Sequence, residues 1–251
     1  AMDLETLLTS PNGFGLESAT FLQRAICRVI DGAPLADLLD RGSDFQRRCF
    51  EAALGCHASM VPTEGPPVEI GDFEPVRCGK SLRLAALGIA RSQTIDVNII
   101  KPGEEGPRIS ILATELDQAS AIRGHLNMVH EKPALRALLL GEDADSMTFR
   151  HPTGLPVELR IIAAKRGGYS LAARWSGSVI FDEAPGWYST DRIVSLEESR
   201  DQALGRLLTG AQAIYAGSKW QPSGLCFDMH RKHFGKPTRE LVVISPQEVS
   251  E

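Results

Sequence analysis

No apolar run in this 251-residue chain approaches the roughly 20 residues that a membrane-spanning helix requires, which excludes a helical membrane protein. The residues at the N-terminus as given show no basic-then-apolar leader, so none is expected. Positive charge is not in excess. With 27 Lys and Arg against 32 Asp and Glu the net charge is −5, so a polyanionic partner has to be met by a local basic face. Cysteine is sparse, odd in number and scattered (Cys27, Cys49, Cys56, Cys78, Cys226), a pattern that predicts reduced thiols in a cytoplasmic compartment and no disulfide framework. There is no internal repeat, no low-complexity tract, no redox Cys-x-x-C and no Ser-His-Asp signature. Cys226, His230 and His233 share one helical face, but a fourth ligand is missing and Phe227, Met229 and Phe234 read as ordinary packing, so zinc is rejected.

What is present begins at Val76-Arg77-Cys78-Gly79-Lys80-Ser81, followed by the apolar, helical stretch Leu82 to Ala90. Gly-Lys-Ser opening a helix is the second half of a phosphate-binding loop. Backbone N–H groups and a lysine hold nucleotide phosphates there, and the serine hydroxyl ligates Mg²⁺. The first half departs from the general pattern, because Glu74 stands where the leading glycine belongs. Val68 to Val76 should be the strand feeding this loop, although Gly71, Asp72, Glu74 and Pro75 make it a poor central strand on paper.

Residues 2 to 60 read as mostly helical, with helices over Phe21 to Ile30, from Leu35 to Leu39 and over Asp44 to Leu54. Strands are expected at Ile95 to Ile100, Arg108 to Ala113, Met147 to Arg150, Val157 to Ala163, Ser178 to Phe181 and Ala211 to Tyr215. Helices are expected from Asp117 towards Val129, over Pro133 to Leu140, and from about Asp191 to Leu208. Strands and helices alternate from residue 68 onward. That predicts an α/β P-loop NTPase of the ASCE type, a mainly parallel central sheet flanked by helices, with a small helical N-terminal or lid region. The expected divisions are 1–60 for the helical segment, 61–235 for the ATPase core and 236–251 for the start of a linker.

Hydrolysis needs an acid to organise Mg²⁺ and a base to orient water. Val179-Ile180-Phe181-Asp182-Glu183 offers both, at the C-terminal edge where open α/β sheets bind ligands. An acidic pair after a strand is by itself most often a solvated turn. About a hundred residues after Gly-Lys-Ser, it reads as Asp182 for the Mg²⁺ shell and Glu183 for the water. Ala216-Gly217-Ser218 ends the next buried strand about three dozen residues later, and a small polar residue there could sense the γ-phosphate. Gln23 has an amide that suits an adenine edge, although an isolated glutamine on an amphipathic helix is more often a surface residue. Arg77 carries a fork that matches phosphate oxygens. Lys165, Arg166 and Arg174 before the acidic strand could be an arginine finger, a DNA contact or surface charge.

Together these motifs resemble the ATPase domain of the large terminase subunit of tailed bacteriophages and their prophage relatives. The resemblance rests on the arginine before Cys78-Gly79-Lys80-Ser81, on Ala113-Thr114-Glu115-Leu116-Asp117-Gln118-Ala119, and on Val179-Ile180-Phe181-Asp182-Glu183-Ala184. Ile214-Tyr215-Ala216-Gly217-Ser218 with Gly224, and Thr20-Phe21-Leu22-Gln23-Arg24-Ala25-Ile26, complete it. It covers roughly residues 18 to 235, and Leu171-Ala172-Ala173 departs from the Leu-Arg-Gly of many members. The resemblance implies a DNA-packaging ATPase with ATP and Mg²⁺ as cofactors. Lys80, Arg77 and Glu183 would be catalytic, Gln23, Cys78 and Gly79 would bind nucleotide, and Ser81 with Asp182 would hold the metal. Gly217 and Ser218 would couple hydrolysis to movement, with Arg166 or Arg174 as the trans-acting finger. It further implies double-stranded DNA, the portal protein, the small terminase subunit and a ring of copies on the portal as partners, in the cytoplasm of an infected bacterial host. An isolated, truncated ATPase domain without its nuclease is the expectation for this chain, monomeric and slow by itself. A superfamily-2-like helicase and a non-hydrolysing nucleotide- or DNA-binding module are the competing readings.

Overall fold

The computed structural model describes residues 2–15, 20–75, 78–113, 116–163, 171, 174–187, 195–218 and 222–246. The N-terminal helices are α1 (Leu4–Thr9), α2 (Phe21–Asp31), α3 (Ala36–Leu39) and α4 (Asp44–Leu54). Their limits follow from local chemistry. Thr20 with Gln23 and Ser43 with Gln46 form reciprocal capping boxes that start α2 and α4. Gly32 (φ 60°) ends α2 in the left-handed region. A Cβ there would lie 1.7 Å from the Gly65 carbonyl oxygen, so glycine is required twice over.

Eight strands follow in chain order: β1 (Glu69–Asp72), β2 (Arg108–Ala113), β3 (Leu139–Glu142), β4 (Ser146–Arg150), β5 (Pro156–Ala163), β6 (Ser176–Phe181), β7 (Ala213–Ala216) and β8 (Leu241–Ile244). They form one sheet in the order β3-β4-β5-β2-β6-β7-β1-β8. The pairs β3/β4 and β4/β5 are antiparallel and the other five are parallel. Among the described residues the connecting helices include α5 (Lys80–Thr94), α6 (Leu116–Leu126), α7 (Pro133–Arg136), α8 (Leu196–Leu204) and α9 (Leu225–His233). The mainly parallel α/β architecture expected from the alternation is therefore present.

Strand periodicity divides the core into two layers. Ile70, Ile111, Ile180, Ile214 and Val242 face α2 and α5. Val179, Phe181, Ala213, Tyr215, Leu241 and Val243 face Leu196 and Ala203 of α8 and Cys226 and Met229 of α9. Leu4, Leu7, Ile26 and Ile30 belong to the first of these layers, so the N-terminal helices share one continuous core with the sheet.

Three expectations are corrected. Ile95 to Ile100 is not a strand but a turn whose Ile95, Val97 and Ile100 are buried. Apolar residues plugging the sheet's lower edge imitate strand alternation. Pro133 starts a helix as expected, but the helix ends at Arg136 and Leu139–Glu142 continues as the edge strand. Finally, β8 pairs in register with β1, Glu69 opposite Leu241 and Asp72 opposite Ile244, so the core runs through Ile244 and does not give way to a linker at 236.

The polar strand β1 has a structural explanation. It is central, between β7 and β8, yet each acid has a buried partner. Glu69 on one face takes both Arg200 nitrogens at 2.7 Å and the Tyr215 hydroxyl at 2.9 Å. Asp72 on the other face accepts from Arg83 at 2.6 Å. Buried carboxylates are tolerable in a central strand when each is met by charge-assisted hydrogen bonds.

Candidate functional site

Strand register brings the sequence motifs to one edge of the sheet. Phe181 is opposite Tyr215, and Tyr215 is opposite Gly71. The residues that leave β1, β7 and β6 therefore emerge side by side: the phosphate loop, Gly217-Ser218 and Asp182-Glu183. The strand carrying Gly217-Ser218 stands between the other two.

At the loop, Gly79 has φ 87° and serves as N-cap of α5, whose first residues are Lys80 and Ser81. A 15-residue helix thus points its N-terminus and free N–H groups out of the edge, the standard anion cradle. Lys80 is buried, and its ammonium donates to the carbonyls of Glu74 and Pro75, both at 3.0 Å. Phosphate binding has to draw the ammonium off these two oxygens. Ser81 is half-buried at the helix start.

Glu74 does not present its charge to a bound phosphate. Its carboxylate is bonded to Arg83, and it accepts from the Cys78 thiol at 3.3 Å. Among the described residues the one non-glycine with positive φ is Glu183, so residue 74 needs no glycine here. Burial first, and then the Glu74 carboxylate, push the Cys78 thiol up to about 11, which keeps it a donor.

Asp182 is 5% exposed. Burial, and secondarily the neighbouring Glu183 charge, raise its carboxyl to about 6, while the Glu183 backbone N–H and the Lys80 ammonium oppose the shift. Glu183 sits in the left-handed region at φ 50°, ψ 37°. That turn aims its carboxylate across at the end of β7, where the Ser218 N–H donates to it at 3.3 Å and the Ser218 hydroxyl lies 3.5 Å from both oxygens. Trp187 fixes the turn from below, its indole donating to the Asp182 carbonyl at 3.1 Å and its ring packed edge-on to Phe181.

Gly217 allows this approach. A Cβ there would lie 2.3 Å from Pro185 Cδ and 3.4 Å from Glu183 Cα. Gly217→Ala is expected to pry the 183–185 turn from β7 at about 1–3 kcal/mol, the usual cost of overpacking. Thermal denaturation should record this as a lower Tm.

Gln23 joins α2 to the loop. Its amide nitrogen donates to the Cys78 carbonyl at 3.1 Å, and its oxygen closes the capping box on the Thr20 N–H at 3.0 Å. Beside it opens a pocket lined by Leu8, Thr9, Gln23, Arg24, Gly79 and Leu82 among others. A ligand with phosphates on the loop has an apolar slot next to it on this side.

No family model and no curated protein sequence matches the chain. Solved structures do. The large terminase of bacteriophage HK97 superposes with a TM-score of 0.56 at 14% identity, over 84% of this chain and 41% of that one. The large terminase ATPase domain of Thermus phage P74-26 superposes with a TM-score of 0.51 at 15% identity, over 81% of this chain and 84% of that one. The fold is that of a phage large-terminase ATPase domain. The chain spans less than half the length of the HK97 large terminase.

Within this terminase ATPase fold the anticipated residues distribute unevenly. Gly79, Lys80, Ser81, Asp182, Glu183, Gly217 and Ser218 gather at the edge, with Gln23 and Cys78 attached to the loop. Arg77 and Arg166 lie outside the described residues, as do Thr114 and Glu115. Arg174 stands before β6, at the opposite end of the strand from Asp182. Its guanidinium donates to Glu158 at 2.8 Å and to the Gly106 carbonyl at 2.6 Å. A role as a finger would have to be played towards another copy, after giving up these partners. Arg83 is the residue that sequence reasoning passed over. It lies one turn after Lys80 as the one charge in the stretch Leu82 to Ala90, and that isolation was the available signal.

Proposed function

We propose that this chain is the ATP-hydrolysing motor domain of a DNA-packaging terminase, powering movement of double-stranded DNA into a procapsid. What supports this reading is the convergence of three strand ends on one edge: a lysine-bearing helix N-terminus, a buried aspartate followed by a glutamate, and a serine in contact with that glutamate. By the terminase resemblance, the working form is a ring on the portal, supplied with DNA by the small subunit in the host cytoplasm.

Lys80 neutralises charge on the β- and γ-phosphates, and the amides opening α5 bind their oxygens. Arg77 adds a phosphate contact, and Gln23 faces the adenine from the pocket beside the loop. Glu183 orients the attacking water and takes its proton. Ser218, which touches Glu183, reports the γ-phosphate to the rest of the sheet. No cluster of three metal-binding side chains occurs among the described residues, but Mg²⁺ in a nucleotide site needs only one or two protein oxygens beside phosphates and waters. A nearly buried carboxylate whose charge lacks a strong counter-ion fits that requirement. Ser81 and Asp182 would hold Mg²⁺, which would neutralise charge developing on the phosphates.

Because metal binding requires the Asp182 carboxylate, its raised pKa sets the direction of the pH dependence. The apparent Mg²⁺ affinity of the nucleotide complex should be level above pH 6 and weaken as the pH falls through 6. Titration of Mg²⁺ at pH 5 and pH 7.5 by turnover or calorimetry checks this.

Lys80→Ala is expected to weaken MgATP binding about 10–150-fold, the loss of one or two charge-assisted bonds, without unfolding the chain. Unchanged affinity would remove the phosphate loop from the mechanism. The decisive assay is Mg²⁺-dependent phosphate release by the wild type at high protein concentration. Its absence would reduce the chain to a nucleotide-binding module. DNA binding, measured across a salt series, should weaken steeply with ionic strength. Arg231 and Lys232 are candidate basic positions for it, exposed on α9 and sharing Asp228 as an ion-pair partner, at 2.8 and 3.8 Å.

A further inference from the structure

The polar cluster beneath the phosphate loop has no role in the chemistry above. Arg83, 2% exposed, bridges the carboxylates of Asp72 at the end of β1 and Glu74 at the start of the loop. The Glu74 carboxylate also accepts from the thiol of Cys78, the last loop residue before Gly79, at 3.3 Å, sharing that single proton with the Pro75 carbonyl at 2.9 Å. Its own carbonyl, with that of Pro75, holds the Lys80 ammonium. One side chain therefore connects the first residue of the loop, its fourth following residue and the first turn of the helix. The loop is further tied from outside by Gln23 on the Cys78 carbonyl.

We propose that Glu74 is a positioning residue that braces the phosphate loop closed across its base, through Arg83 and Cys78, so that Lys80 and the α5 amides are set before nucleotide arrives. In the usual loop a leading glycine allows a tight path. Here a buried carboxylate instead crosslinks the two limbs of the loop, and the residue carrying it has no need of a glycine's backbone. Binding to a preformed loop avoids the cost of ordering it, which is the physical advantage of the brace. The inference rests on the nucleotide-binding reading of the loop for its purpose, but the brace itself exists in the free protein.

Hydrogen exchange of the nucleotide-free protein tests it directly. In Glu74→Ala the peptide covering residues 74–83 should exchange about tenfold faster than in the wild type, with the remaining peptides unchanged. Glu74→Gln, which keeps an acceptor oxygen for both partners, should retain the protection. Cys78→Ala removes the thiol's bonds to Glu74 and to the Pro75 carbonyl together and leaves the Glu74–Arg83 pair in place. It should loosen the same peptide, and it decides the matter if Glu74→Ala loses protection throughout the chain. Wild-type exchange in this peptide in Cys78→Ala and in a folded Glu74→Ala overturns the proposal, as does equal loss in Glu74→Gln and Glu74→Ala. MgADP titration of the same three variants then reads the consequence, with weaker binding in the loosened variants and wild-type affinity in Glu74→Gln. If the wild type itself fails to bind MgADP, the nucleotide reading fails, while the exchange result still stands or falls by its own data.

Discussion

Glu183→Gln should lower Mg²⁺-dependent ATP turnover about 10²–10⁴-fold, the usual contribution of a positioned general base. It should leave ATP affinity within about threefold, because the substitution touches none of the loop groups that would carry phosphate binding. The amide keeps the shape of the carboxylate and an oxygen to accept from the Ser218 N–H, so the strand ends stay together. What it loses is the capacity to take a proton from water. Single-turnover measurements with saturating ATP separate the two quantities. A variant that retains wild-type turnover would move the base elsewhere, and one that loses binding as well would show that Glu183 holds the site together instead of acting in it.

Arg83→Ala carries the largest expected effect on stability, about 3–5 kcal/mol. Asp72 and Glu74 are almost completely excluded from water, at 0% and 3% exposure, and they share this single guanidinium. Removing it leaves two like charges buried together. For a chain of this size the loss corresponds to a Tm lower by roughly 6–20 °C. The cause can be separated from simple loss of volume. Burial and the Asp72 charge already raise the Glu74 carboxyl in the intact protein, against the pull of Arg83. Without Arg83 the Glu74 carboxyl should lie further above its unfolded value. The penalty is then present at neutral pH and recedes as the pH falls through that folded value, so the variant should regain stability relative to wild type on acidification. Asp72→Asn with Glu74→Gln in the Arg83→Ala background should recover part of the loss at pH 7. If neither acid nor the amides restore stability, packing and not charge is what Arg83 supplies.

The same two acids mark the boundary of what could be read from the chain. The parallel α/β plan was legible because β2, β6 and β7 are buried apolar runs followed by polar turns. Gly-Lys-Ser could be placed because it opens a helix, and Asp-Glu and Gly-Ser because each follows a buried strand, at spacings that allow whole βα crossovers between them. The start of α2 was legible in the same local sense. β1 was expected only because a strand has to feed the loop, and its own residues argued against it, since its acids are met by Arg83, 11 residues on, and by Arg200, 131 residues on. Pairing at such separations leaves no periodic trace. The turn at Ile95 to Ile100 was misread for the complementary reason. His151 Nε2 donates to the Ile95 carbonyl at 3.1 Å, and Gly177 packs on the Ile95 side chain, contacts that bury a loop as deeply as a strand. Gln23 shows a third kind of limit: its capping role is local, while its bond to the phosphate loop spans 55 residues.

The backbone of Glu183 has a practical consequence for anyone who would stabilise this protein. A non-glycine side chain in the left-handed region costs about 1–2 kcal/mol, and replacing such residues with glycine or asparagine is a routine way to raise melting temperature. Ranked by backbone conformation alone, Glu183 heads the list of targets among the described residues. The substitution that best relaxes the chain would erase the carboxylate opposite Ser218. On the role proposed for Glu183, a screen that selects on heat resistance alone is steered towards variants without the base, and a useful one has to score turnover at the same time.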